Sequence, residues 1–177
     1  ADALHAGFAD YFVPEDRWKA LKAALVETGD WTAVDAAATD AGASPLAATQ
    51  PDIDEHFGGE TFGDIMRSLD LDDGEFSHAA RDKLARNAPL SLFCATQLIH
   101  RVRNRPQIRF ALDQEYRITA RAMQHGDFIE GIRAKIIDRD NAPNWRHADW
   151  RAVNAGDVHP MLAPLGADAL TLERELT

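Results

Sequence analysis

Residues Leu112 to Trp145, LDQEYRITARAMQHGDFIEGIRAKIIDRDNAPNW, say more about this chain than any other stretch. They read as two helices joined by a tight corner. Counting back to Ile108, apolar or small residues recur at Ile108, Ala111, Leu112, Ile118, Ala122 and Met123, one face of a helical period. His125-Gly126 ends that run, with Gly126 where a left-handed C-terminal cap is expected. Asp127 opens the second helix, and Glu130 three residues on completes the pattern of a capping box. Gly131 inside this helix gives up about 1 kcal/mol of propensity relative to Ala. The position therefore predicts a close approach by another backbone.

Working outward, Arg105-Pro106 separates this pair from an apolar helix that starts at Pro89 and runs through Leu90 to Val102. Further back, Phe76, Ala80 and Leu84 mark one helix. Phe62, Ile65, Met66 and Leu69 mark another, capped by Thr61 with Asp64. Short helical turns follow through Ile53 and Phe57. Residues 43–51, ending at Pro51, read as a loop by composition. Trp18, Leu21 and Leu25 form a stripe between Pro14 and Gly29, and Asp30 can cap a further helix through Trp31 and Val34. Phe8 to Val13 alternates imperfectly and suggests one short extended segment. Beyond Trp145 only short turns are expected. The fold class is all-α.

Composition bounds the rest. At 177 residues the chain is one domain, or one and a fraction. No run approaches a membrane span and no signal-peptide pattern opens the chain. The formal charge of −10 argues against nucleic acid and anionic membrane as partners. The single cysteine, Cys94, lies among Leu90, Leu92, Phe93 and Leu98, where a buried packing thiol is expected and a reducing compartment fits.

Glu115-Tyr116-Arg117, Asp127-Phe128-x-Glu130-Gly131-Ile132-Arg133-Ala134, Ile137-Asp138-Arg139-Asp140 and Pro143-x-Trp145 together resemble the C-terminal region of the 3-hydroxyisobutyryl-CoA hydrolase family. That family is part of the enoyl-CoA hydratase/isomerase, or crotonase, superfamily. The resemblance extends back through Ala88-Pro89-Leu90-Ser91-Leu92 to Ala6-Gly7-Phe8-Ala9-Asp10-Tyr11-Phe12-Val13-Pro14. It departs at His147, where the family often has proline. It implies that residues 1–13 are the tail end of a core and 14–177 a C-terminal helical domain, with groups at 14–88, 89–145 and 146–177. It also implies that the spiral α/β core and its catalytic carboxylates lie upstream of Ala1. A chain that opens on the last turns of a helix reads as truncated in the same way.

The implied activity is thioester hydrolysis of a short branched 3-hydroxyacyl-CoA in valine breakdown, in the cytoplasm or, in a eukaryote, the mitochondrial matrix. No separate cofactor is implied, since coenzyme A is part of the substrate. These helices would cover the acyl-CoA site and possible self-association would use them too. Enoyl-CoA hydration on the same fold, and a non-catalytic helical interaction module, are the alternatives.

Several side chains stand out. Glu115 lies on the apolar side of its helix and is either a catalytic carboxylate or, preferably, the partner of Arg133 in an ion pair. Arg101, Arg103, Arg105 and Arg109 form the densest positive cluster, a solvated rim complementing a helix C-terminus or a phosphate site. The resemblance places Arg139 near the basic position that the superfamily offers to the nucleotide end of CoA, with Lys135 one turn back as competitor. Trp145 and Trp150 are expected to staple the C-terminal segment to the helices, or to wall an acyl pocket. His78 with Asp82 has i,i+4 spacing but lacks a third ligand, so no metal site is expected.

Overall fold

A cap of two hydrogen bonds sets the first strongly amphipathic helix. In the computed structural model, which describes residues 1–171, Thr61 Oγ1 accepts from Asp64 N at 3.1 Å while Asp64 Oδ2 accepts from Thr61 N at 2.9 Å. Helix α5 (Phe62–Asp70) then carries Phe62, Ile65, Met66 and Leu69 on one buried face. Against them pack Phe76, Ala80 and Leu84 of α6 (Glu75–Leu84), and Leu92 and Phe93 of α7 (Pro89–Asn104). Trp150 closes this cluster, its ring edge-on to Phe62 with centroids 6.5 Å apart.

A second cluster uses the other side of α7. Leu90 and Cys94 meet Val153, Val158, Met161 and Leu162, with Phe93 and Ile118 at its margin. Phe93 touches both clusters, so α7 is the spine between them. Burial pushes the Cys94 thiol up to about 11, which leaves it a packing group rather than a nucleophile. Helix α8 (Ile108–His125) follows, then the short α9 (Phe128–Ile132), which passes straight into a π turn over Arg133–Ile137. No strand occurs among the described residues, and the protein is all-α.

The chain divides into two compact units, Ala1–Glu55 and the part beginning at His56. The division falls inside the 14–88 group. In the first unit α1 (Asp2–His5) is tied by Asp2 Oδ1, which accepts from Ser44 Oγ at 2.7 Å and Leu46 N at 3.0 Å. Helices α2 (Trp18–Thr28) and α3 (Thr32–Ala37) follow, with Gly29 left-handed at φ 66° and Asp30 Oδ1 accepting from Thr32 N at 2.9 Å. Phe8 to Val13 pairs with no strand.

Three expectations fail here. Residues 43–51 are mostly helix, because α4 runs Pro45–His56 with Pro51 inside it. Ser44 Oγ accepts from Ala47 N at 3.0 Å, so Ser-Pro was a start signal. Residues 146–177 are more than turns: α10 (Ala155–Leu162) is capped by Asn154 with Asp157 and supplies Val158, Met161 and Leu162 to the core; residues 172–177 of that stretch lie outside those described. On α8 the apolar stripe is split: Ile118 packs on the core while Ile108, Leu112 and Met123 face outward. Ile108 is 72% and Met123 63% exposed, while Gln114 is 2% exposed. Leu69→Ala should therefore cost about 2–5 kcal/mol by cavity formation. Met123→Ala should stay within about 0.5 kcal/mol. Urea midpoints of the two variants check the contrast.

Candidate functional site

Arg133 organises the segment from 127 to 146. Its Nε and Nη2 donate to Glu130 Oε2 and Oε1 at 2.9 and 2.8 Å, a bidentate fork. Its Nη1 donates to Asp138 and Asp140 Oδ2, both at 2.7 Å, and Nη2 also reaches Ala142 O at 3.0 Å. The loop 138–142 is thereby drawn back onto α9. Arg139 and Asn141 adopt positive φ, 57° and 52°, and Asn141 N donates to Ala134 O at 3.1 Å.

Two carboxylates then hold two backbone amides. Glu130 Oε1 accepts from Asn144 N at 2.6 Å, and Asp127 Oδ1 from Arg146 N at 2.8 Å. These amides flank Trp145, whose ring lies 3.6 Å from where a Cβ on Gly131 would stand. The capping box expected of Asp127 and Glu130 is not formed: Asp127 sits at φ −100°, ψ 16° and caps nothing with its side chain. Asp127 is buried, and its Oδ2 has no partner among the described residues. Gly131 is approached by an indole rather than a backbone, at ordinary contact distance.

Gly126 is extended at φ −111°, ψ −170°, not left-handed. A Cβ there would stand 3.0 Å from Ala122 O, a tight contact with backbone. Glu115 is exposed and does not pair with Arg133, whose acids are Glu130, Asp138 and Asp140. The reason is the rotation of α8, which turns Gln114 inward. His78 meets Arg81, Nδ1 to Nη2 3.0 Å, rather than Asp82. His147, where the family often has proline, is buried with Nε2 3.4 Å from Asp157 Oδ2 of α10.

Between α7, α8 and α9 runs a groove of about 600 Å³, walled by Leu90, Ile118, Ile132, Trp145 and Met161, with Lys135 at its edge. Lys135 Nζ donates to Asn141 Oδ1 at 3.0 Å, and Arg139 is exposed with Nε 3.3 Å from Ile136 O. Trp145 also lines a second pocket of about 300 Å³ together with Trp150, so the two indoles are both staple and wall. Nothing in the sequence pattern signalled that Trp145 would line two cavities.

The sequence of residues 1–162 matches the family model described as enoyl-CoA hydratase/isomerase, and the chain belongs to that family. Its curated relatives include the mitochondrial 3-hydroxyisobutyryl-CoA hydrolases of Mus musculus, 26% identical over 96% of this chain and 46% of the relative, and of Danio rerio, 28% identical over 97% and 47%. Among solved structures, an enoyl-CoA hydratase from Rhodobacter sphaeroides 2.4.1 is 44% identical with a TM-score of 0.84, covering 97% of this chain and 49% of that one. A carnitinyl-CoA dehydratase from Mycobacterium thermoresistibile is 34% identical with a TM-score of 0.88, covering 98% and 50%. The chain thus spans about half the length of the proteins it matches, aligning with the C-terminal part of the mouse hydrolase.

The Arg133 fork and Asn144 N hold Glu130 down at about 2, against an ordinary 4.5, and Arg133 and Ala142 N lower Asp140 likewise. A depressed folded-state value means that this contribution is complete above pH 4.5 and is lost as pH falls toward about 2. Glu130→Gln should flatten the loss of stability across that window while lowering stability at neutral pH. Denaturation midpoints measured stepwise from neutral pH to about 2 read both effects.

Proposed function

We propose that this chain is the C-terminal helical portion of a 3-hydroxyisobutyryl-CoA hydrolase-like enzyme that covers the acyl-CoA site. The observation that carries the reading is the match of nearly the whole chain to hydrolases of that name. The 600 Å³ groove is consistent with it, having an apolar wall suited to an acyl or pantetheine segment and a lysine at its rim. In this reading Lys135 and Arg139 face the nucleotide end of CoA. Glu130 is engaged through both oxygens, by Arg133 and Asn144 N, and so is not a free base, while Asp127 uses Oδ1 on Arg146 N. The reacting carboxylates, and the backbone amides that stabilise the thioester oxyanion, would come from polypeptide outside these 177 residues.

The compartment would be the cytoplasm or the mitochondrial matrix. No helix among the described residues is long and apolar enough to cross a membrane.

A second reading, enoyl-CoA hydration, is favoured by the higher identity to the Rhodobacter sphaeroides hydratase. Expressing the complete reading frame that encodes this chain separates the two, since the groups that decide the reaction are then its own. Hydrolysis of 3-hydroxyisobutyryl-CoA, followed by thiol release, supports the hydrolase. Hydration of an enoyl-CoA without thiol release overturns it. The 177-residue chain alone should turn over neither substrate. In the active product of that reading frame, Lys135→Ala and Arg139→Ala should each raise KM about tenfold, roughly 1.4 kcal/mol of binding, with kcat little changed.

A further inference from the structure

Of the four arginines clustered around Pro106, Arg101 leaves its neighbours. Arg103 Nη2 meets His100 Nδ1 at 2.9 Å, and Arg105 lies 4.9 Å from the centre of the Phe110 ring. Arg101 turns inward, Nη1 donating to Gln114 Oε1 at 3.0 Å and Leu162 O at 3.2 Å. Arg117 donates to the same Leu162 O at 3.3 Å, and Arg121 to the carbonyls of Met161, Ala163 and Pro164 at 3.3, 2.7 and 3.1 Å. Three guanidiniums thus meet the end of α10. Among the described residues the carboxylate in ion-pair contact with them is Asp113, 2.7 Å from Arg117. A helix C-terminus adds about half a negative charge. More than one positive charge is left over, in a protein whose formal charge is −10.

Beside Arg101 lies a pocket of about 310 Å³. Gln97, one turn earlier on α7, shares its wall with Arg101, and Phe93, Val153, Val158 and Leu162 supply apolar surface. We propose that this pocket binds a small organic monocarboxylate with a short aliphatic body. The carboxylate takes the guanidinium of Arg101 and the amide of Gln97, while the hydrocarbon lies on Phe93, Val153 and Leu162. The basic side chains of the lining are one guanidinium and the His159 imidazole, with no lysine, and a single planar fork suits a monoanion rather than a phosphate dianion. The volume is at the small end of ligand sites, roughly 300–1,000 Å³, which restricts the body to a few carbons. The site is distinct from the α7–α9 groove and stands independently of the acyl-CoA reading.

The test is a titration of the ¹⁵N-labelled full chain with sodium isobutyrate, its neutral isostere isobutyramide, and inorganic phosphate. Isobutyrate should shift the Gln97 side-chain amide, Arg101 Nε–H and the Val153 to Ala155 amides with a Kd of about 1 mM. Isobutyramide and phosphate should bind at least about tenfold more weakly. Arg101→Gln should abolish the shifts, but it also frees the end of α10. Ala155→Trp narrows the pocket with every Arg101 contact intact, and should abolish them too. Equal binding of isobutyramide or phosphate, absence of isobutyrate shifts, or undiminished binding by Ala155→Trp each overturns the proposal.

Discussion

The segment around Trp145 depends on two carboxylates that fix two amides. Asp127, just before α9, and Glu130, on it, accept from Arg146 N and Asn144 N, two residues apart on the returning chain. Backbone amides are obligatory donors, so ending both on carboxylate oxygens fixes the path of the return on either side of Trp145, whose ring lies over Gly131. Arg133 supplies the counter-charge that keeps Glu130 ionised and gathers Asp138 and Asp140 into the same knot. A π turn begins at that residue, with Asp138 N donating to Arg133 O at 2.8 Å, and such turns recur where a helix must re-aim its side chains. The groove wall follows from this knot.

Helix α8 answers to a different constraint. The carbonyls ending α10 need donors, and Arg101, Arg117 and Arg121 provide them from α7 and α8. Turning Arg117 and Arg121 toward α10 necessarily turns Ile108, Leu112 and Met123 outward, since they occupy the opposite side of the same helix. Polar satisfaction thus outranked apolar burial in setting the rotation of α8. An unpaired buried carbonyl costs as much as burying a methylene or two gains, so the preference is energetically reasonable.

Where local chemistry was decisive, the sequence could be read directly. Thr61 with Asp64 announced α5, and Phe62, Ile65, Met66 and Leu69 fell on the buried face as their spacing required. Cys94 was buried where its neighbours said it would be. The failures have separate causes. Asp127 and Glu130 had the spacing of a capping box but were claimed by amides 14 to 19 residues away. Glu115 had the right side of the helix only if apolar periodicity fixed the rotation, and it did not. Ser44-Pro45 was an adequate helix start that composition concealed, because Pro51 further along looked like a breaker.

That same distinction bears on how the motif should be understood. Asp-Phe-x-Glu-Gly-x-Arg-Ala looks like a run of functional groups, yet Asp127, Glu130 and Arg133 are engaged with backbone or with one another. Apart from the buried Asp127 Oδ2, their polar atoms are spent in holding a loop. The side chains of the segment that reach a cavity are apolar, apart from Lys135 at the rim and Asp127 beneath it. A set of residues can therefore serve in a fold as a fastening whose charge is internal, and what this fastening positions is a stretch of groove wall, Trp145 and Ile132 with Lys135 beside them.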